Sequence, residues 1–482
     1  MRSIAERVNT GLTPIIDALQ AYSRTERARW HTPGHKGRVP FPYLVPQWDV
    51  TEIRELTPQS DGDDVLHHSE RLMAETFGAL RTWYSVQGAT LPVMAAILAA
   101  CPSGARVVVD RIAHRSVHSA LALANLDPIW AYSSVGPGGY PLPVCDTDRV
   151  GLIEEHSPVA VIVTNPTYEG LSASLDKTRT LCREKGIILI VDEAHGTHFW
   201  GHRGFPASAL AVGADLVCHG VHKTDVSLTQ TGLLHMTTHQ IPPSRVQEAW
   251  DLLATSSPSY LLLASLDYLQ SLRHQVPYHR HWESFAQDMR ESWEIWRNQG
   301  LFLLQEWWER QGGQADPAKL TLIGDGMRFL RTLEAFGVEE KSDPSGLTLI
   351  VTPQDDRRLL HQALECCASG SALVPGESKI DAWPRTRQIL SLHHALSAER
   401  EWVPWREAVH RIAARPIIPY PPGIPLVVPG EEINRDVVSW LEGYRQWSLQ
   451  GSGNLQGIQR EPGLSNAEGD DNGLWVIKGE VP

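Results

Sequence analysis

The sequence has no CxxC pair, no run of eighteen apolar residues and no excess of positive charge. Its six cysteines are scattered at 101, 145, 182, 218, 366 and 367. The adjacent pair has poor geometry for bridging, so a disulfide scaffold is not expected; free thiols in a reducing cytoplasm are the simplest reading. Without a long apolar run no transmembrane helix is expected. The opening "MRSIAERVNTGLTPIIDALQAYSR" is amphipathic and lacks the apolar core of a signal peptide. The net charge is −13, which argues against a nucleic-acid or anionic-membrane partner and mildly favours cationic ligands. There are no internal repeats.

What is present is an ordinary globular composition, 42% hydrophobic and 21% charged over 482 residues. That length implies two or three domains. Residues 10–27 read as a helix, and "HTPGHKGRVPFPYLVP" (31–46) as irregular. From about residue 80 short apolar strands alternate with helices: "TWYSV", "LPVMAAILAA", "ARVVVD", "HRSVHSALALA", "PIWAYS", "VAVIVTNP", a helical stretch near 175–185, "GIILIVDEA" and "ADLVCHG". This rhythm predicts an α/β fold with a mostly parallel central sheet covered by helices. Ligands in such sheets bind beyond the carboxyl ends of the strands, where Thr90, Asp110, Asn165, Asp192 and Lys223 fall. Residues 280–311 read as one or two long helices. Strand signals return at "KLTLIG" and "GLTLIVTP", and prolines exclude a regular helix or central strand from "IIPYPPGIPLVVPGEEI" (417–433). The expected division is an N-terminal arm (1–45), a major domain (46–314), a small α+β domain (315–447) and a polar tail (448–482) with an edge strand at "LWVIK".

A lysine at a strand end beside a pocket, when partly desolvated, is a nucleophile that can form a Schiff base with an aldehyde. A carboxylate on a neighbouring strand end can hold a pyridinium nitrogen protonated. Lys223 and Asp192 fit these roles, and together they suggest a pyridoxal 5'-phosphate (PLP) site. Its phosphate needs backbone N–H groups at a helix N-terminus. "QGAT" before "LPVMAAILAA" offers Gly88, Ala89 and Thr90. Taken singly these signals have plainer readings. Lysine after a strand is usually a solvated surface residue, Asp192 is also a plausible helix cap, and His114 a polar helix-start residue. A metal reading of His195 and His198 lacks a Glu or Cys at matching helical spacing, and no metal is expected.

In order along the chain, "HTPGHKG" (31–37), "WDVTE" (48–52), "DGDDVLHH" (61–68), "VQGAT", "DRIAHRSV", "TNPTYEG" (164–170), "VDEAHGTHF", "VHKTDVSLTQTGLLH", "ATSSPSYLLLASLD" (254–267) and "YPPGIPLVVPGE" (420–431) resemble the ornithine/lysine/arginine decarboxylases of PLP fold type I, in their short bacterial form. The resemblance covers nearly the whole chain. It implies that Lys223 carries the cofactor, Asp192 pairs with the pyridinium nitrogen, and His114 stacks on one ring face. It places Ala194 on the other face with His195 beside it, and puts His222, Gly88, Ala89 and Thr90 around the phosphate. Thr255, Ser256 and Ser257 would reach the phosphate of a neighbouring subunit, since the family's sites lie at a dimer interface. "HTPGHKG" and "YPPGIP" would shape the substrate entrance. With only about thirty residues before "HTPGHKG", the N-terminal wing domain of the long forms is not expected.

Three positions depart from the family pattern: Ile112 stands where Asn is usual, Ala89 stands where the family usually has Ser or Thr at or beside the position, and Gly220 stands where Ser is common. Each removes one polar group from the cofactor's surroundings, worth about 1 kcal/mol of binding. The reaction implied is loss of CO2 from a basic amino acid, with Lys223 or His195 returning a proton to the carbon. Arginine, giving agmatine for polyamine synthesis, is the expected substrate, followed by lysine and ornithine. The acid that grips the distal cation is sought in 51–64 or in "PGEE" (429–432). A fold type I aminotransferase or lyase, or a weakly active regulatory homologue, is the alternative.

Overall fold

The computed structural model describes residues 28–30, 65–368, 383–420, 423–448, 454–456, 458–460 and 472–479. The expected helix at 10–27 and the "HTPGHKG" and "WDVTE" segments lie outside the described residues, as does the acidic stretch 51–64.

The centre is a seven-stranded sheet. Its strands are β1 (Arg81–Ser85), β2 (Arg106–Asp110), β3 (Asp127–Ala131), β4 (Ala160–Thr164), β5 (Ile188–Asp192), β6 (Leu216–His219) and β7 (Gly232–Met236). Their spatial order is β1-β7-β6-β5-β4-β2-β3. β7 runs antiparallel to both neighbours, and every other adjacent pair is parallel. The inner strands are continuous apolar runs because both faces are covered. Val107, Val109, Ile162, Ile190 and Leu216 belong to the core shared with helices Thr90–Ala100, Arg115–Leu123 and Pro243–Leu253. Their alternates Val108, Val161, Val163, Leu189, Val191 and Val217 pack with residues of helices Val65–Phe77, Asp176–Lys185 and Tyr260–Arg273.

A second core lies around a small antiparallel sheet of Lys319–Ile323, Gly346–Ile350 and Lys341–Asp343. The stretch at 280–311 resolves into two helices, Val276–Asn298 and Leu304–Arg310, and Trp282, Trp293 and Trp296 anchor the first of them in this core. Toward the C-terminus Arg400–Pro404, Asn472–Ile477 and Ile458–Arg460 form a three-stranded sheet. Asn472–Ile477, expected at an edge, is its middle strand, because residues 458–460 return along its other side. Among the described residues no helix is long and apolar enough to cross a membrane.

Candidate active site

The carboxyl ends of the parallel strands deliver the site. β5 ends on Asp192, whose register partners are Thr164 at the end of β4 and Cys218 in β6. Beyond β6 the chain makes a 3-10 turn, Val221–Lys223, and brings the lysine back to the same edge. β1 leads through Gly88 into helix Thr90–Ala100, and β2 leads to His114 at the cap of helix Arg115–Leu123. These loops enclose a cavity of about 410 Å3, lined by Gly88, Ala89, Thr90, His114, Asp192, Ala194, His195, His222 and Lys223 among others. The residues expected of one chain's own site are therefore brought together. Thr255, Ser256 and Ser257 are exposed and do not line it; the Thr255 N–H donates to Gln87 Oε1 at 2.9 Å, tying that loop to the Gly88 turn.

Electrostatics prepare the two central groups. Burial raises the Asp192 carboxyl above its ordinary range, opposed by the Lys223 charge and by the Ala194 N–H, which donates to Oδ1 at 3.1 Å. Burial lowers the Lys223 amine, with Asp192 and Glu340 opposing. A lysine depressed in this way is a better nucleophile. Desolvation, with Lys223 and Arg115 nearby, holds His114 down at about 3, so its ring is neutral. His114 Nδ1 accepts from the Ser116 N–H at 3.2 Å and so caps its helix while the residue lines the cavity. Helix capping and cavity lining are thus roles of the same residue. His222 Nδ1–H donates to the Thr231 carbonyl at 2.9 Å, which fixes the ring beside Gly88.

His195 stands between two lysines. Its Nε2 is 2.9 Å from Lys223 Nζ and its Nδ1 is 2.9 Å from Lys319 Nζ. Burial and both positive neighbours keep its pKa well below the ordinary histidine value. Neutral imidazole has one N–H and one lone pair. One lysine therefore donates to the ring, and the other accepts from it.

Other acids and polar groups that the sequence drew attention to do different work. Asp110 takes a two-pronged buried contact from Arg149, at 2.9 Å on each oxygen, and accepts the Thr164 N–H at 3.1 Å. Asn165 is bonded to the Ala173 backbone. His198 is engaged by Thr224 Oγ1 and Asp316 Oδ1. Within "PGEE", Glu431 is 0% exposed and pairs with Arg111 at 2.9 Å, while Glu432 pairs with Arg387 and His410. Neither lines the cavity, so this candidate for the distal cation is withdrawn.

The sequence reading missed Lys319, Glu340, Tyr168 and Thr164. Tyr168, Thr164 and Glu340 line the cavity, and Tyr168 Oη donates to Glu340 Oε1 at 3.2 Å. A signal existed for Lys319: a lysine opening the apolar run "KLTLI" whose every position is buried.

PLP fits this cavity. The volume lies in the usual range for small-molecule sites. The N-terminal end of an eleven-residue helix opens onto it at Ala89 and Thr90, the place for a phosphate. Thr164 Oγ1, buried and lining the cavity, has no hydrogen-bond partner among the described residues. Two of the three family departures are compatible with the fit. Ile112 adds apolar lining, and a side chain at Gly220 would press on the Lys223 stem, with Cδ and Cε only 3.2 Å from an added Cβ.

A helix-covered, mainly parallel sheet with a lysine and an aspartate on neighbouring strand ends is the architecture of the fold type I PLP-dependent enzymes. More narrowly, the chain belongs to the Orn/Lys/Arg decarboxylase family: the family's major domain matches residues 13–341 and its C-terminal domain residues 386–470. It is 29% identical to the arginine decarboxylase of Bacillus subtilis over 461 residues, covering 89% of this chain and 93% of that protein. It is 30% identical to the arginine decarboxylase of Halalkalibacterium halodurans over 468 residues, covering 89% and 92%. The crystal structure of the Francisella novicida lysine decarboxylase LdcF superposes with a TM-score of 0.73 at 19% identity, covering 97% of this chain and 81% of that one.

Proposed function

We propose that the protein binds PLP through Lys223 and removes CO2 from a basic amino acid, arginine before lysine or ornithine. The observation that carries this reading is the meeting of Lys223 and Asp192 in one cavity, on the ends of adjacent strands. When bound, PLP supplies the electron sink for the pair released with CO2. Asp192 holds a proton on the ring nitrogen by its negative charge. His114 and Ala194 would hold the ring. Gly88, Ala89, Thr90 and His222 receive the phosphate, and Thr255, Ser256 and Ser257 of one protomer complete the phosphate site of its partner in a homodimer. Lys223 or His195 returns a proton to the substrate carbon.

Among the described residues Glu340 and Asp192 are the two carboxylates that line the cavity. We assign Glu340 the substrate's distal cation, in place of the withdrawn "PGEE" acids. The relatives named arginine decarboxylase support arginine as the substrate. The test is incubation of the purified protein with PLP and each basic amino acid, with products weighed by mass spectrometry. Agmatine with CO2 release is expected. A keto acid without CO2 would replace the reading with an aminotransferase.

A further inference from the structure

Lys319 is a buried lysine behind the cavity, in contact with His195, and the mechanism above leaves it without a task. It is 0% exposed and begins a strand of the small antiparallel sheet, opposite Ile350. Room is made for it: Gly170 sits at φ +81°, and a Cβ there would lie 2.6 Å from Lys319 Cγ. Its Nζ lies over the Tyr168 ring, 5.3 Å from the centroid, and 2.9 Å from His195 Nδ1. Glu340, Asp316 and Glu169 act on it from three segments and Lys223 from a fourth, but no carboxylate among the described residues forms an ion pair with it. Lys341, beside Tyr168, is paired with Glu169 and Asp343.

This inference rests on the decarboxylase reading and deepens it. His195 is held too far below neutrality to store a proton as imidazolium. It can give up its Nε2–H only if another proton enters at Nδ1. The group at Nδ1 is Lys319. We propose that Lys319 is the proton source behind His195, passing its Nζ–H to Nδ1 as the Nε2–H leaves toward the carbon that has lost CO2. One N–H bond breaks at Lys319 and one forms at Nδ1. One breaks at Nε2, and the electron pair left by CO2 forms the new C–H bond. The ring begins and ends neutral with its tautomer exchanged, and Lys319 passes from ammonium to amine. Decarboxylation consumes one proton per turnover; the cycle closes when a solvent proton enters at His195 Nε2 while the Nδ1–H passes back to Lys319, which restores both the tautomer and the ammonium. Burial brings the Lys319 amine down to about 8, so it holds a proton at neutral pH and yields it readily.

Two variants separate charge from proton supply. Lys319→Met removes both. Lys319→Arg keeps the charge but not a proton that can be released near neutral pH. In the PLP-loaded enzyme both are expected to lower kcat by about 100-fold, a typical share for general acid catalysis, with KM little changed. Full rescue by Arg, or kcat near the wild-type value in Lys319→Met, would overturn the relay. The second readout needs no turnover. The chain has only eight lysines, so the 13Cε signal of Lys319 can be followed by NMR in 13C-lysine protein and assigned by its loss in the variant. A titration midpoint near 8 is expected; the ordinary lysine value of about 10.4 would overturn the proposal. Should Lys319→Met not fold, Lys319→Arg and the wild-type titration still decide. A wild type that releases no CO2 would sink the decarboxylase reading, whereas an active wild type with equally active variants would sink the relay alone.

Discussion

A methyl group on Gly220 would lie 2.9 Å from the Ala194 carbonyl oxygen and 3.2 Å from the Lys223 stem. The residue thus sets how closely the lysine turn lies against the segment carrying Asp192 and His195. Gly220→Ser is expected to destabilise the fold by about 1–3 kcal/mol, as overpacking does, and to weaken PLP binding. Urea midpoints and PLP titration check this; an unchanged midpoint with unchanged affinity would remove Gly220 from the account. Asp192→Asn keeps the shape and loses the charge, so PLP should still be captured while kcat falls by about 100-fold or more. At this scale the sequence was readable as to which residues meet in one cavity: Lys223 and Asp192 from their strand-end positions, His114 and His195 from the family resemblance. It was unreadable where a role comes from distant chain. Lys319 lies nearly a hundred residues beyond Lys223 and reaches the site through His195.

Asp110 and Asp192 each end an apolar parallel strand, and by sequence they carry the same signal. The difference lies in an element between them. Arg149, on helix Asp146–His156, closes on Asp110 and buries it. Asp110 also accepts the Thr164 N–H, and so joins the end of β2 to the end of β4. Arg149→Met should leave that carboxylate buried and unpaired, at a cost of about 3–5 kcal/mol; an unchanged unfolding midpoint would contradict the assignment. The strands themselves were legible, because sheets covered on both faces need continuous apolar runs. The position of Asn472–Ile477 was not, since its outer partner lies in a polar stretch that reads as a connector. Lys319 also carries a pH signature for its sheet. Its folded pKa is lowered to about 8, so above that pH, up to about 10.4, the unfolded chain holds a proton the folded chain has released. Its contribution to stability therefore rises with pH through that window. The wild type should gain stability relative to Lys319→Met between pH 8 and 10, and a parallel pH dependence of the two would contradict the lowered value.

For the whole molecule, the proposed homodimer, in which each protomer serves its partner, would account for the exposed loop at Thr255–Ser257 and the cavity it does not reach. Activity per protomer should fall on dilution in step with the dimer fraction measured by sedimentation. A fully active monomer would contradict shared sites. The central claim is narrower than the assembly: one lysine holds the cofactor. Incubation with PLP, reduction with borohydride and peptide mass mapping test it most directly. The account requires the phosphopyridoxyl mass on the peptide containing Lys223, and on no other lysine at comparable yield. A label spread over surface lysines, or placed on Lys319 with Lys223 untouched, would contradict it.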